Sequence, residues 1–217
     1  DTPLLDEIKA ELKSQSSIYG VVAEGIVLVN HILGTAVIAH KSRLYRLLEN
    51  TDGIVPGGRV VEGGENMERS IEDLKNYLNS KDSDQSYIIK PGENSNRGHG
   101  IQLAKGLDNI IRLVKDMLSL RSDNDTGNIP TVAVQEYIQR PLLYKGRKID
   151  IRMYVLIGKY FGVMNTYFYR QGYVRTSSYP YTLDSPNLSV HLTNEGIQMN
   201  NTDMFGKYEP ANKLYFD

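Results

Sequence analysis

Read for the spacing of its apolar positions, the chain divides into segments of two periods. Leu4, Leu5, Ile8 and Leu12 follow Pro3 at helical spacing and predict an opening helix that ends in the polar run Ser14 to Ser17. Val21 to Asn30 reads as a strand, Lys41 to Glu49 as a short helix, and Gly53, Pro56, Gly57 and Gly58 as a turn-rich connection. Met67, Ile71, Leu74 and Leu78 are spaced by four, three and four, which predicts an amphipathic helix. A strand at Tyr87 to Lys90, a glycine-rich loop, a short strand at Ile101 to Leu103 and a helix with Leu107, Ile110, Ile111, Val114 and Leu118 inward follow. Arg121 to Pro130 has loop composition, and Val132 to Ile138 is the next strand.

The pattern then changes to strict alternation. From Lys148 to Ile157, Ile149, Ile151, Met153, Val155 and Ile157 share one face, with Lys148, Asp150, Arg152 and Tyr154 on the other. A strand here buries the aliphatic side and sets Lys148, Asp150 and Arg152 in a row about 7 Å apart. The aromatic-rich segment Tyr160 to Tyr169 is expected to pair beside it. Strands alternating with helices, with no internal repeat, predict an α+β or α/β protein. The most apolar stretch, Val21 to Ala39, contains Glu24, Asn30 and His31, too polar for a membrane span.

Composition narrows the classes. The 217 residues are 40 % hydrophobic and 24 % charged, as in a globular domain, and there is no cysteine. That excludes thiolate metal sites, cysteine nucleophiles and a disulfide framework, and makes the cytoplasm the default location. The net charge is −1, so the chain is no polycation for nucleic acid, yet Gln139 to Arg175 holds eight basic residues and one acid. Such a segment suits a local polyanion, either a phosphate chain or an acidic peptide. The chain opens on Asp1 without an initiator Met or a leader, and is expected to be a fragment or processed form.

Three constellations could carry chemistry. The loop Pro91 to Gly100 lacks the GK[ST] of a P-loop, and could be a plain turn. Lys90, at the end of the strand that feeds it, makes phosphate binding the alternative. The row Lys148, Asp150, Arg152 is either a solvated charged face or a nucleotide face, with the carboxylate accepting a hydroxyl and the cations meeting phosphate. Arg175 after Gly172 is a further candidate. His31, His40, His99 and His191 show no metal-ligand spacing and read as satisfied structural histidines, and there is no G-x-S-x-G elbow.

Four ordered segments, IIKPGENSNRGHGI (88 to 101), VQEYIQRPLLYKGRKIDIRMYVLI (134 to 157), YRQGYVRTSSYPY (169 to 181) and HLTNEGIQ (191 to 198), resemble the tubulin tyrosine ligase family. VLVNHILGTAVIAHKSRLYRLL resembles the segment ahead of its nucleotide site, so the likeness covers 27 to 217 and leaves 1 to 26 unassigned. The resemblance implies an ATP-grasp fold of α+β lobes, rich in antiparallel sheet, around a nucleotide cleft. It also implies an ATP-dependent ligase that adds Tyr, Gly or Glu to a tubulin-tail carboxylate through an acyl phosphate. Carried over, Lys90 meets ATP phosphates, Lys41 is a further nucleotide contact, and Arg97 with Gly98 belongs to the loop that closes over them. Gln135, Glu136, Tyr137 and Ile138 match the hinge that reads adenine through backbone groups. Lys148 contacts nucleotide, Asp150 the ribose and Arg152 the transferring phosphate. Arg175 matches the holder of the amino acid or acyl phosphate, and Thr193 with Asn194 a nucleotide contact.

The family's Mg²⁺ ligands, an Asp and a Glu-x-Asn, are expected beyond Asp217, and no metal ligand is assigned within the chain. An inactive scaffold subunit is therefore the alternative function. RTSSYPY and FGKYEPANKLYF look most like the tyrosine-adding member, KPG and SVHL like glycine-adding members. The implied partners are a free amino acid and tubulin or another acidic-tailed protein, in the cytoplasm, cytoskeleton or cilium.

Overall fold

The computed structural model describes residues 20–23, 26–29, 32, 36–51, 53–92, 97–122, 129–160 and 162–216. The expected opening helix, His31, and the centres of the two polar loops, 93–96 and 123–128, lie outside them. The chain forms two compact units, residues 1–39 and 40–217. In the first, β1 (Gly20–Ala23) pairs antiparallel with β2 (Ile26–Val29), and α1 (Ala36–Ala39) follows. The single strand expected over Val21 to Asn30 is thus a hairpin, for which Glu24-Gly25 between two apolar quartets is the sequence signal.

The second unit begins with α2 (Lys41–Leu48), β3 (Gly58–Glu62) and, after a 3-10 turn at Gly64–Asn66, α3 (Met67–Asn79). Then come β4 (Tyr87–Pro91), β5 (Gln102–Ala104), α4 (Leu107–Ser122) and β6 (Thr131–Glu136). The four strands form an antiparallel sheet in the order β3-β6-β4-β5. The predicted spacing holds for α3, which buries Ile71, Leu74, Tyr77 and Leu78, and for α4, which buries Ile110, Val114 and Leu118. Both helices lay these stripes on Val61, Ile89, Val132 and Val134, each fully buried. Burial of this kind contributes about 1.5–3 kcal/mol per large side chain. Helix α4 runs on through Arg121 and Ser122, because turn-forming residues start only at Asp123.

The remaining strands are β7 (Leu143–Tyr144), β8 (Arg147–Arg152), β9 (Val155–Tyr160), β10 (Val163–Phe168) and β11 (Tyr173–Pro180). They are followed by the short helices α5 (Leu188–His191) and α6 (Glu195–Gln198), a 3-10 turn at Pro210–Asn212, and β12 (Lys213–Tyr215). A second antiparallel sheet runs β12-β11-β8-β7, while β9 and β10 pair only with each other. The chain is therefore α+β with antiparallel sheets.

The alternating strand expected over Lys148 to Ile157 breaks at Met153–Tyr154. Its partners explain the break. Arg152 pairs with Tyr173 and Val155 with Phe168, so four residues, 169–172, face the two between β8 and β9. The extra length bulges, and Gly172 packs so tightly there that a Cβ would lie 2.4 Å from the Met153 sulfur and 2.5 Å from the Arg152 carbonyl. The aromatic segment accordingly pairs beside β9, not beside the whole run. The aliphatic side is not buried as expected, since Ile151 is 58 % and Val155 53 % exposed.

Candidate functional site

Alternation along β4 turns Ile89 into the core and Lys90 out of it. Along β6, Val132 and Val134 face the core, and Gln135 lies beside Lys90, accepting a hydrogen bond from its ammonium at 2.7 Å. Where β6 ends, Tyr137 turns its side chain inward, and its hydroxyl lies 2.8 Å from the Nζ of Lys148 on β8. These groups line one cleft of about 380 Å³ with Glu136, Ile138 and Asp150, against apolar walls that include Ile88, Ile149 and Ile151.

Both lysines have neutral partners. Burial, and then the charge of Lys41, lowers the pKa of Lys90. Burial and the charge of Lys90 bring that of Lys148 down to about 8, against the opposite pull of Asp150. Among the described residues neither ammonium has a carboxylate within ion-pair distance. Two desolvated, mutually repelling cations in one apolar cleft are stabilised by an anion, so the residues present fit a phosphate chain over a flat apolar group.

Glu136 and Tyr137 are held from behind. Glu136 N–H donates to the Gly57 carbonyl at 2.7 Å and Tyr137 N–H to that of Ser86 at 2.8 Å. The Glu136 carboxylate accepts from the Tyr77 hydroxyl at 2.5 Å and pairs with Lys81 at 3.0 Å, tying β6 to α3. Gly57 leaves room for this contact, since a Cβ would come 2.5 Å from the Tyr77 oxygen and displace it from Glu136.

A second cavity, about 590 Å³, is lined by Arg97, Arg152 and Arg175 together with Asn194, Glu195 and Gly196. Arg175 lies opposite Asp150 in the β11–β8 register, and its guanidinium grips both carboxylate oxygens, with Nε 2.7 Å from Oδ1. Asp150 lines the first cavity and Arg175 the second, so this ion pair stands between them. Arg97 and Gly98 both have positive φ, +54° and +86°. Gly98 is buried against α6, where a Cβ would meet Ile197 Cγ1 at 2.9 Å, so the loop's last residues are docked on Asn194–Ile197. Thr193 is buried beside Asn194.

The predicted residues therefore gather into two adjoining cavities, seven in the first and four in the second. Lys41 is placed by its effect on Lys90, and Gly98 and Thr193 lie behind the walls. His191 is buried and hydrogen-bonded, as expected of a satisfied histidine. Sequence reasoning missed two supports. Gly92 follows Lys90-Pro91, and a Cβ there would lie 1.9 Å from both the Ser42 and Thr131 hydroxyl oxygens, which are hydrogen-bonded to each other at 2.5 Å. Gln198, 1 % exposed, accepts from Ser178 N–H at 2.8 Å and donates to the carbonyls of Ser189 and Leu192, fastening α5 to β11. The K-P-G triplet signals the first, and nothing in the sequence pattern signals the second.

Comparison with known proteins identifies the family. The family model described as the tubulin-tyrosine ligase family matches residues 21–213. The chain is 33 % identical to the tubulin monoglycylase TTLL3 of Mus musculus over 138 residues, 64 % of the chain and 14 % of that protein. It is 34 % identical to the tubulin monoglycylase TTLL3 of Danio rerio over 158 residues, 70 % of the chain and 20 % of that protein. It is also 30 % identical to the tubulin polyglutamylase ttll-4 of Caenorhabditis briggsae over 181 residues, 78 % of the chain and 26 % of that protein. The chain thus spans about a quarter or less of the length of these curated relatives. With the family model covering most of its residues, the chain belongs to the tubulin-tyrosine ligase family.

Proposed function

We propose that this chain is the nucleotide-binding part of an ATP-dependent ligase that joins an amino acid to a tubulin-tail carboxylate, with glycine as that amino acid. The observation that carries the reading is the convergence of the Lys90 and Lys148 amines, with neutral partners only, in a cleft with apolar walls. The glycine assignment rests on the relatives named tubulin monoglycylase and outweighs the tyrosine-like look of the tail. In this reading the two four-stranded sheets are the lobes of an ATP-grasp fold. Substrates and setting then follow as tubulin, a free amino acid and the cytoskeleton or cilium. Among the described residues no helix is long and apolar enough to cross a membrane.

The roles follow from placement. Lys90 and Lys148, with Lys41 near Lys90, hold the phosphate chain, and the walls at Ile88, Ile138 and Ile149 take the base. Asp150 accepts a ribose hydroxyl once Arg175 turns from it, and Arg175 is then free to hold the amino-acid carboxylate or the acyl phosphate. Arg152 neutralises the phosphoryl group in transit, a task of positioning and charge that needs no side-chain nucleophile. Among the described residues no three His, Asp or Glu side chains gather to hold a metal ion, so no step is assigned through Mg²⁺. The cationic second cavity also gives an acidic tail a place to approach, with affinity that falls as salt rises.

The test supplies the protein in its natural length with tubulin, Mg-ATP and labelled glycine, glutamate or tyrosine. Glycine incorporation that Arg152→Ala abolishes is expected. Incorporation of glutamate or tyrosine instead would correct the amino acid, and none with any of the three would leave the scaffold reading.

A further inference from the structure

Tyr137 just past β6, Lys148 on β8 and His191 on α5 meet at one hydroxyl. The Tyr137 oxygen lies 2.8 Å from Lys148 Nζ and 2.9 Å from His191 Nδ1, and His191 Nε2 lies 2.9 Å from the Ser185 carbonyl oxygen. The Ser185 carbonyl fixes the tautomer of the ring. A carbonyl can only accept, so Nε2 carries the imidazole proton, and Nδ1 of the neutral ring is an acceptor. Tyr137 then donates its hydroxyl proton to Nδ1, a stronger acceptor than the neighbouring Tyr181 oxygen, whose own proton goes to the Gln139 carbonyl at 2.8 Å, and a lone pair is left toward the ammonium. The hydrogen bonds run Lys148 to Tyr137 to His191 to Ser185.

We infer that Tyr137 and His191 are positioning residues for Lys148, a two-link relay that aims its ammonium into the cleft. The inference rests on the nucleotide reading above for what the ammonium meets. Tyr137 and His191 also pack edge to face, with centroids 5.6 Å apart, and the Tyr181 ring packs edge to face with the same imidazole at 5.9 Å, so two aromatic rings hold it. The relay works with a neutral imidazole only. Protonated Nδ1 would point a second donor at the Tyr137 oxygen and leave the hydroxyl proton without its acceptor, displacing Lys148. The surroundings hold the ring neutral. Burial and the Lys148 charge lower the His191 pKa, against the pull of the Ser185 carbonyl, while Tyr137 and Tyr181 are the other titratable groups that face it. Lys148 itself is faced by Lys90, Asp150 and Tyr137.

The test measures Mg-ATP affinity by calorimetry at pH 7.5 for the unaltered protein, Tyr137→Phe, His191→Phe, Lys148→Met and the double variant Tyr137→Phe/Lys148→Met. Removing one link of a charge-assisted bond should weaken binding about tenfold, and the double variant should bind no worse than Lys148→Met alone. His191→Asn, whose amide oxygen can stand near the Nδ1 position, should restore most of the affinity lost in His191→Phe. Equal affinity of Tyr137→Phe and the unaltered protein, or losses that simply add in the double variant, would overturn the relay. A second readout needs no ligand: the pH profile of Lys148 acylation by an amine reagent, followed by mass spectrometry. Without its acceptor the ammonium gives up its proton more readily, so Tyr137→Phe should label faster at pH 7, and an unchanged profile refutes the relay. If the unaltered protein binds no nucleotide, the nucleotide reading fails while the labelling profile still decides the relay.

Discussion

On β6, Val132 and Val134 face Val61 and Ile89 with no exposure, whereas on β11 the equally buried Thr176 and Ser178 face a glutamate, an asparagine and a glutamine, and Ser177 between them takes the Lys148 N–H of β8. The first sheet rests on dispersion and the exclusion of water, which many apolar side chains can provide. The second rests on directed bonds. Arg147, 4 % exposed, meets both oxygens of Glu209 and reaches Thr176 and the Ser177 carbonyl. Asn212 joins Thr176 O at 3.1 Å to Ser178 Oγ at 2.9 Å. This network lies under β8 and β11, the strands that carry Lys148, Asp150, Arg152 and Arg175. A polar interior of this kind fixes strand register and tolerates little change, because each partner removed strands another. The cleft thus has one adaptable wall, with Lys90, and one rigid wall, with the charge row.

The largest test of that contrast is Glu209→Ala. It leaves the Arg147 guanidinium buried without a carboxylate, and loss of one partner of such a pair costs about 3–5 kcal/mol. Urea unfolding should show it as a large drop in midpoint, and a loss below about 1 kcal/mol would mean that the interior of the second sheet does not depend on its ion pair. Glu209→Gln should lose less, because one oxygen remains to accept.

A smaller effect comes from protonating the same group. Burial pushes the Glu209 pKa up, but the hydrogen bonds of Arg147 and Thr176 and the charge of Arg147 outweigh it, so the pKa lies below the ordinary carboxylate value. A depressed carboxylate adds stability that is fully present above the unfolded value, near 4.3, and is lost as pH falls through the folded one. Unfolding midpoints between pH 6 and 3 should therefore fall more steeply for the unaltered protein than for Glu209→Gln. Parallel curves would place the acid sensitivity elsewhere.

The same contrast governs what the sequence disclosed. The apolar sheet and its helices were legible because burial marks the chain: the stripe Met67, Ile71, Leu74, Leu78 follows from helix geometry, and the short apolar runs at Tyr87–Lys90 and Val132–Ile138 read as strands. The charge row was legible for the same reason. Its pairing was not, because the meeting of Arg175 with Asp150 depends on the β11–β8 register, and the break after Arg152 depends on four residues facing two. The anchors Arg147, Gln198 and Glu209 carry no periodic mark, since a polar residue becomes buried only when a distant partner arrives. Of the candidate site, Lys90, the charge row and Arg175 were readable from the residues, the individual roles and the other positions came through the family likeness, and the division into two cavities came only with the fold.

The smallest effect sharpens the comparison from the apolar side. Ile89 and Lys90 are neighbours on β4, with Ile89 fully buried among Val61, Val134 and the helices and Lys90 facing the cleft. Ile89→Val removes one methylene while keeping the β-branched shape that suits the strand, so about 1 kcal/mol of stability should go. The surrounding aliphatic groups can close on so small a gap, and the backbone bonds of β4 to β5 and β6 do not involve the lost atom. Mg-ATP affinity should stay within twofold, which calorimetry on the folded variant would check alongside urea unfolding. A tenfold loss would show that Lys90 is aimed by the detailed packing beneath it, and the apolar sheet would then be as exacting as the polar one.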